Sequence, residues 1–273
     1  MKLSIVIVSF NTERILEKCL QSIFKEGKNL ADEFEILVVD NASSDASVAM
    51  IEKKFPQIKL IRNKENLGFS KAVNQGLKQA KGETALLLNS DTYLTENCLK
   101  KLLSFEQAVR PAIIGARLLN PDGTVQPSVF KLPTVGRAIQ EYWLGKKGYF
   151  SKYAPPGNSP VEVEAIVGGV MLISREILNR IGLLDERYFM YFEDLDYCRR
   201  VRQKGFKVYY LPEAEIIHEH GASGKTISSA GNQWRRLIPS SKIYHGILNH
   251  FAITFIIWSS QKVNILSKFR HKE

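Results

Sequence analysis

The residues with chemistry to offer are a few carboxylates and histidines set at the ends of apolar runs. Asn89-Ser90-Asp91 follows the apolar run Ala85–Leu88, so Asp91 is expected at a strand end, where a carboxylate can reach a cation and a diphosphate. Mg²⁺ and Mn²⁺ favour such oxygen ligands. The same three residue types also close strands as Asx turns, and the spacing alone leaves both readings open. Glu193, Asp194 and Asp196 open a segment that ends in Arg199, Arg200 and Arg202. A helix dipole favours that acidic-first, basic-last order without any catalysis. It does not account for the surrounding Tyr188, Phe189, Tyr191 and Phe192, which could desolvate a carboxylate and raise its proton affinity, as a general base needs. His218 and His220 alternate along a strand-like segment and would face one side, as metal ligands or as hydrogen-bonded structural histidines.

A second group of residues could hold phosphate or a nucleoside. Asn66 and Gly68 precede an amphipathic segment that starts at Phe69, and unpaired N–H groups at a helix start attract phosphate, although a plain helix cap uses the same residues. Asp40 ends the apolar run ILVV, either as a nucleoside-binding carboxylate or as the start of a loop. Gly168-Gly169 allows close approach of a ligand, or tight packing near the site together with Glu193.

The elements that must position these groups follow from hydrophobic periodicity. Leu3–Phe10, Glu35–Asp40, Ile58–Ile61 and Thr84–Leu88 are short apolar runs without alternation, as expected of strands buried on both faces. Between them, Thr12–Lys25, Ser44–Phe55 and Phe69–Ala80 carry apolar residues at three- and four-residue spacing. This is a βα repeat, and it predicts an α/β fold with parallel strands joined by helical crossovers. Ligands then bind beyond the carboxyl ends of the strands, where Ser9, Asn11, Asp40, Asn41, Ser43, Asn66, Gly68, Asn89, Ser90 and Asp91 all fall. Residues 120–160 are rich in proline and loops and are expected to face a substrate. Order returns with Val161–Ser174, a helix near Arg175–Ile181 and a strand at Lys207–Leu211. The tail mixes apolar and aromatic residues with bases. It suits either an interfacial helix at an anionic membrane or a helix packed on the domain, and its apolar stretch is too short to span a bilayer.

With 273 residues, 44% hydrophobic and 24% charged, the chain has the composition of an ordinary folded enzyme-sized unit. A formal net charge of +10 calls for an anionic partner and does not choose among phosphorylated substrates, anionic membranes and nucleic acid. Cys19, Cys98 and Cys198 are too scattered for a disulfide scaffold or a zinc site and fit a reducing cytoplasm. The start, with one Lys and a short apolar run, is expected to be a first strand rather than a secretory signal.

Taken in order, IVIVSFN, ILVVDNASSD, NLGFSKAVNQG, LLLNSD, VGGVMLISR, GLLDERYFMYFEDLDYCRRVRQKGFKVYYLP and HEHGAS resemble glycosyltransferase family 2. This is the inverting GT-A group, and the likeness is to its bacterial rhamnosyltransferase-like branch. The resemblance implies a GT-A fold over residues 1–225, with a mostly parallel central sheet flanked by helices and a C-terminal helical segment over 226–273. Residues 1–92 would form the nucleotide-sugar half, and 93–225 the acceptor and catalytic half. Donor contacts are implied at Ser9, Asn11, Asp40, Asn41, Asn66, Gly68, Phe69, Asn74, Asn89, Ser90 and Asp91. Asp194 matches the catalytic-base position, Asp91 the metal ligand of an Asp-x-Asp-type motif that here begins with Asn89, and His218 a further metal contact ahead of His220. The implied cofactor is Mg²⁺ or Mn²⁺. The implied donor is dTDP-rhamnose, with UDP-sugars as rivals, and the acceptor a glycan or lipid-linked glycan at the inner face of the membrane, with no nucleic-acid partner. Two further readings stay open at this level, a nucleotidyltransferase on a similar fold and a noncatalytic sugar-binding protein.

Overall fold

The computed structural model describes residues 2–28, 34–219 and 230–270. The first half alternates as its periodicity predicts: β1 (Leu3–Ser9), α1 (Glu13–Gly27), β2 (Phe34–Asp40), α2 (Ser47–Lys54), β3 (Lys59–Arg62), α3 (Phe69–Gln79) and β4 (Thr84–Asn89). β1 lies between β2 and β4, parallel to both, with Ile5 opposite Ile36 on one side and Leu86 on the other. These strands read as continuous apolar runs because both faces are covered. Leu3, Ile5 and Ile7 of β1 enter one core with Leu16, Leu20 and Ile23 of α1, whereas Val6 enters a second core with Val73 and Leu77 of α3. Each such burial contributes about 1.5–3 kcal/mol, enough to fix the pleat against a one-residue slip that would exchange the two sets.

The chain continues through β5 (Thr92–Leu94), α4 (Cys98–Val109), β6 (Ala112–Leu119), β7 (Val125–Gln126), β8 (Val129–Phe130), α5 (Val135–Ala138) and a π-helical turn at Ile139–Trp143. Then follow β9 (Val161–Val163), β10 (Ala165–Ile166), β11 (Val170–Ser174), α6 (Arg175–Ile181), α7 (Glu193–Gln203), β12 (Lys207–His218), α8 (Ala230–His245) and α9 (Ile247–Arg270). The main sheet runs β3-β2-β1-β4-β11-β6-β12-β5, with β7 beside β6 and β9 beside β12. β11 is antiparallel to β4 and β6, and β5 is antiparallel to β12, while β6 and β12 pair parallel. The sheet is therefore mostly parallel and flanked by helices, with helices at the C-terminal end, as the resemblance implies.

Two features differ from the periodicity reading. β6, which is not among the strands expected from the apolar runs, is a central strand beginning right after Pro111; a proline at a strand start costs no ladder hydrogen bond. The strand expected at Lys207–Leu211 runs on to His218, with a register shift between Leu211 and Glu215. That extension carries Ile216, Ile217 and His218 into the ladder with β5.

Candidate active site

Asp91 and His218 come together because two distant segments share one ladder. The turn Asn89-Ser90-Asp91 leads from β4 directly into β5, and β5 pairs antiparallel with the end of β12, setting Thr92 opposite His218. The Glu219 N–H donates to the Asp91 carbonyl at 2.9 Å, which closes the same corner. His218 Nε2 then stands 3.4 Å from Asp91 Oδ1, and both residues are more than nine-tenths buried. The other ring nitrogen of His218, Nδ1, is 2.6 Å from Gln126 Oε1, a hydrogen bond that orients the imidazole. Thr92 Oγ1 donates to the Asn89 carbonyl at 2.6 Å, so the segment is a hydrogen-bonded turn as well as the bearer of Asp91.

A carboxylate oxygen and an imidazole nitrogen this close can share a divalent cation, Mn²⁺ more readily than Mg²⁺, which prefers oxygen ligands. Among the described residues no cluster of three or more His, Cys, Asp or Glu side chains is placed to hold a metal ion. Two protein ligands suit a cation that takes its remaining ligands from a diphosphate and water, which is the usual situation for Mg²⁺ in nucleotide sites. The residues present therefore fit such an ion. His220 lies outside the described residues.

Asp194, in the first turn of α7, lines the same cavity. Tyr191 and Phe192, just before the helix, have φ of 71° and 69°, a left-handed conformation that side chains other than glycine rarely adopt. Such strain persists where the surroundings over-determine it, and here it aims the start of α7 into the cavity. Asp194 Oδ2 accepts from the Gly168 N–H at 2.9 Å and Oδ1 from the Leu195 N–H at 2.8 Å. Burial raises the Asp194 carboxyl above the ordinary aspartate range, against the hydrogen bonds from Gly168 and Leu195 and the charge of Lys152, which act downward. Glu193 is raised as well, by burial first and then by the charge of Asp194.

Glu193 Oε2 is buried without a hydrogen-bond partner. A carboxyl whose folded pKa is raised favours the protein in its protonated form, so its ionisation removes stability as pH rises above the unfolded glutamate value and through the raised one. Glu193→Gln is expected to stabilise the protein at pH 8 by on the order of 1–3 kcal/mol and by much less at pH 4, read by thermal unfolding at both pH values.

Gly168 and Gly169 pack the site closely. A Cβ on Gly168 would lie 3.3 Å from Asp194 Cβ, and one on Gly169 would lie 2.9 Å from Asn89 Nδ2. The Asn89 N–H donates to the Gly169 carbonyl at 2.9 Å, so the glycine pair spaces the Asp194 wall from the Asp91 wall.

The polar residues of the first half divide by what they touch. Asn41, Asn66, Gly68, Phe69, Asn89, Ser90, Asp91, Gly168, Gly169, Glu193, Asp194 and His218 line one cavity of about 660 Å³, within the size of small-molecule sites. Ser9, Asn11, Asp40 and Asn74 do not line it. Asn11 Oδ1 accepts from the Ser44 N–H at 2.7 Å, and its own N–H donates to Ser43 Oγ at 2.9 Å, which fastens the β1 loop to the β2 loop. Ser9 Oγ is 3.0 Å from Thr12 Oγ1, and Asp40 Oδ2 accepts from the Ser43 N–H at 3.0 Å. Asn74, 1% exposed, donates to the Leu184 carbonyl and to Glu186 and accepts from the Leu184 N–H, so it ties α3 to the loop before α7. Asn41 donates to Asn66 Oδ1 and the Gly68 carbonyl and accepts from Asn63 and the Leu67 N–H, which occupies its whole amide.

The start of α3 is closed by the chain itself. The Phe69 N–H donates to the Phe189 carbonyl at 2.7 Å, and the Gly68 N–H donates to Asn66 Oδ1 at 3.0 Å. Gly68 has φ +85°, and a Cβ there would fall 2.6 Å from the Phe189 carbonyl oxygen. Gly68→Ala combines left-handed strain with a backbone clash and is expected to cost about 2–4 kcal/mol of stability, measured as a fall in thermal midpoint with loss of ligand binding.

Several cavity residues carry no signal in the sequence. Lys152, from the proline-rich stretch, and Arg236, from α8, bring positive charge to the wall, and Gln126 orients His218. Arg236 lies over the Phe189 ring, 5.0 Å from its centroid. Cys19, Cys98 and Cys198 are buried and free, and burial pushes the Cys19 and Cys198 thiols up to about 12, so they serve packing.

Comparison with known proteins matches this architecture. The sequence model of the family described as Glycosyl transferase family 2 matches residues 4–182. An N-acetylglucosaminyl-diphospho-decaprenol L-rhamnosyltransferase of Mycobacterium tuberculosis is 28% identical over 242 residues, covering 81% of this chain and 77% of the relative. The low-salt glycan biosynthesis hexosyltransferase Agl10 of Haloferax volcanii is 26% identical over 261 residues, 92% of this chain and 80% of the relative. Among solved structures, GalNAc-T7 with UDP, GalNAc and Mn²⁺ shares the fold with a TM-score of 0.61 and 20% identity; the match covers 80% of this chain but 44% of that chain's length. S. aureus TarS 1-349 in complex with UDP-GlcNAc gives a TM-score of 0.59 at 21% identity, covering 94% of this chain and 70% of the other.

Proposed function

This chain belongs to glycosyl transferase family 2, and from that premise we propose that it transfers a sugar with inversion from a nucleotide-sugar donor to a hydroxyl of a glycan or lipid-linked glycan in cell-surface polysaccharide synthesis. The proposed donor is dTDP-rhamnose, with a UDP-sugar as the alternative, and the proposed place of action is the cytoplasm. One observation carries the reading: Asp194 and the Asp91–His218 pair line a single cavity. The rhamnosyltransferase relative supports the choice of sugar and of a lipid-linked acceptor.

Asp194 is the general base. Its carboxylate is held by two backbone N–H groups, retains lone pairs toward the cavity, and is raised in proton affinity by burial. It takes the proton from the acceptor hydroxyl as that oxygen bonds to the anomeric carbon, while the bond from that carbon to the diphosphate breaks and the electron pair leaves with the diphosphate. Asp91 and His218 would hold Mg²⁺ or Mn²⁺ beside the donor, and when bound this ion offsets charge on the diphosphate. Lys152 and Arg236 add positive potential along the same wall. The aromatic residues Phe189, Tyr191 and Phe192 line the cavity beside Asp194 and would shield a bound donor from water.

The test is a donor screen by calorimetry and by product release, with and without Mg²⁺ or Mn²⁺. Cation-dependent binding of dTDP-rhamnose in preference to UDP- and GDP-sugars, with release of dTDP, is the expected result. Preference for a UDP-sugar would move the donor and keep the transferase. Release of pyrophosphate would replace sugar transfer by nucleotidyl transfer, and folded protein that binds no nucleotide-sugar would overturn the reading.

A further inference from the structure

α9 has two apolar faces, and among the described residues only one of them is covered. Ile253 and Ile256 are buried with Ala138 of α5, against Val135, Ile139, Tyr142 and Phe150. On the outward face, Leu248, Phe251, Phe255 and Trp258 recur at helical spacing and are 85%, 57%, 57% and 54% exposed. The π-helical turn extends this face, because Trp143 Nε1 donates to Ser259 Oγ at 2.9 Å, and Trp143 and Leu144 are themselves exposed. Two unconnected segments thus build one apolar surface rich in aromatic side chains, far more than isolated exposed hydrophobics would provide.

The helix that carries most of this surface is cationic, and the acid of the adjoining π-helical turn, Glu141, is spent accepting from the backbone N–H groups of Tyr149, Phe150 and Ser151. Residues 230–270 contain six Lys or Arg residues and no Asp or Glu. Lys242 lies 5.5 Å from the Phe251 ring centroid, and Lys146 and Lys147 are exposed just past the π-helical turn. No helix among the described residues is long and apolar enough to cross a membrane. An uncovered aromatic face bordered by cations, on a helix that does not span, is the physical description of an interfacial helix. Tryptophan suits the headgroup level, where its ring is apolar and its N–H finds a partner.

We propose that the outward face of α9, continued by Trp143 and Leu144, seats this protein on an anionic lipid bilayer. A second copy of the chain is a poorer occupant, since a two-fold contact would set this cationic surface against itself. α8 links the seat to the cavity: Arg236 and Leu237 line the cavity, Ser240 Oγ donates to the Met190 carbonyl at 2.8 Å, and Gly246 turns the chain into α9. The surface shares no residue with the catalytic wall, so it stands or falls separately from sugar transfer.

The experiment is flotation of the full chain with vesicles of phosphatidylcholine alone and of phosphatidylcholine mixed with phosphatidylglycerol. Binding to the mixed vesicles that is weakened by salt, and weaker binding to the neutral ones, is expected. The combined variant Phe251→Ser, Phe255→Ser, Trp258→Ser should lower the partition coefficient by about a hundredfold while leaving donor-stimulated nucleotide release intact. Lys242→Glu with Lys262→Glu should lower it by about tenfold or more on mixed vesicles only. Absence of wild-type flotation, or unchanged flotation of the serine variant, would overturn the proposal. Concentration-dependent dimerisation lost in the serine variant, without vesicle binding, would assign the face to a second copy instead.

Discussion

Asp194→Asn should lower the rate of sugar transfer by about a thousandfold while leaving donor binding within a few-fold of the parent. The substitution keeps the size of the side chain and an acceptor for the Gly168 or Leu195 N–H, so α7 keeps its start and the cavity its shape. What it removes is the group able to take a proton. Loss of kcat with little change in donor affinity is the signature of an interaction made in the transition state. The pH dependence of the parent supplies a second check. Activity requires the ionised carboxylate, and burial raises its pKa, so the acid limb of the rate profile should lie above the range of an exposed aspartate. Near-normal turnover by folded Asp194→Asn protein would remove Asp194 as the base, and the raised Glu193 beside it would be the next residue to test.

How much of this was legible in the sequence depends on how local the signal is. β1 to β4 and α1 to α3 follow from short apolar runs alternating with three- and four-residue spacing, because each strand is buried on both faces and each helix on one. α6 lies where expected, at Arg175–Ile181. Position within the site is a different matter. The resemblance implies donor contacts for most of the polar residues at the strand ends, but residue type does not distinguish an amide facing the cavity from one spent on holding two loops together. Asn11 is spent on holding the β1 and β2 loops together and Asn74, inside α3, on tying that helix to the loop before α7, and the partners that occupy them are remote in sequence. Lys152 and Arg236 were missed for the converse reason, since nothing near them in the chain marks a basic residue that long-range packing brings to the cavity.

The pairing of Asp91 with His218 is the sharpest case, and it carries the second large effect. Each residue alone has an ordinary structural explanation, a turn and a strand-end histidine. The β5–β12 register turns them into a pair by setting Thr92 opposite His218. If that pair binds a divalent cation together with the donor, Asp91→Asn should weaken binding of nucleoside diphosphate in the presence of Mn²⁺ by about a hundredfold and leave the weaker metal-free binding nearly unchanged. Gln126→Ala should give a smaller loss, about tenfold, because it frees the imidazole without removing a ligand. The readout is calorimetric titration of the nucleoside diphosphate with and without Mn²⁺ for parent and variants, independent of turnover. A purely structural Asp91 would lower both titrations equally, in step with the thermal midpoint. A ligand would lower only the metal-dependent one, and that difference separates the two explanations that the sequence leaves equivalent.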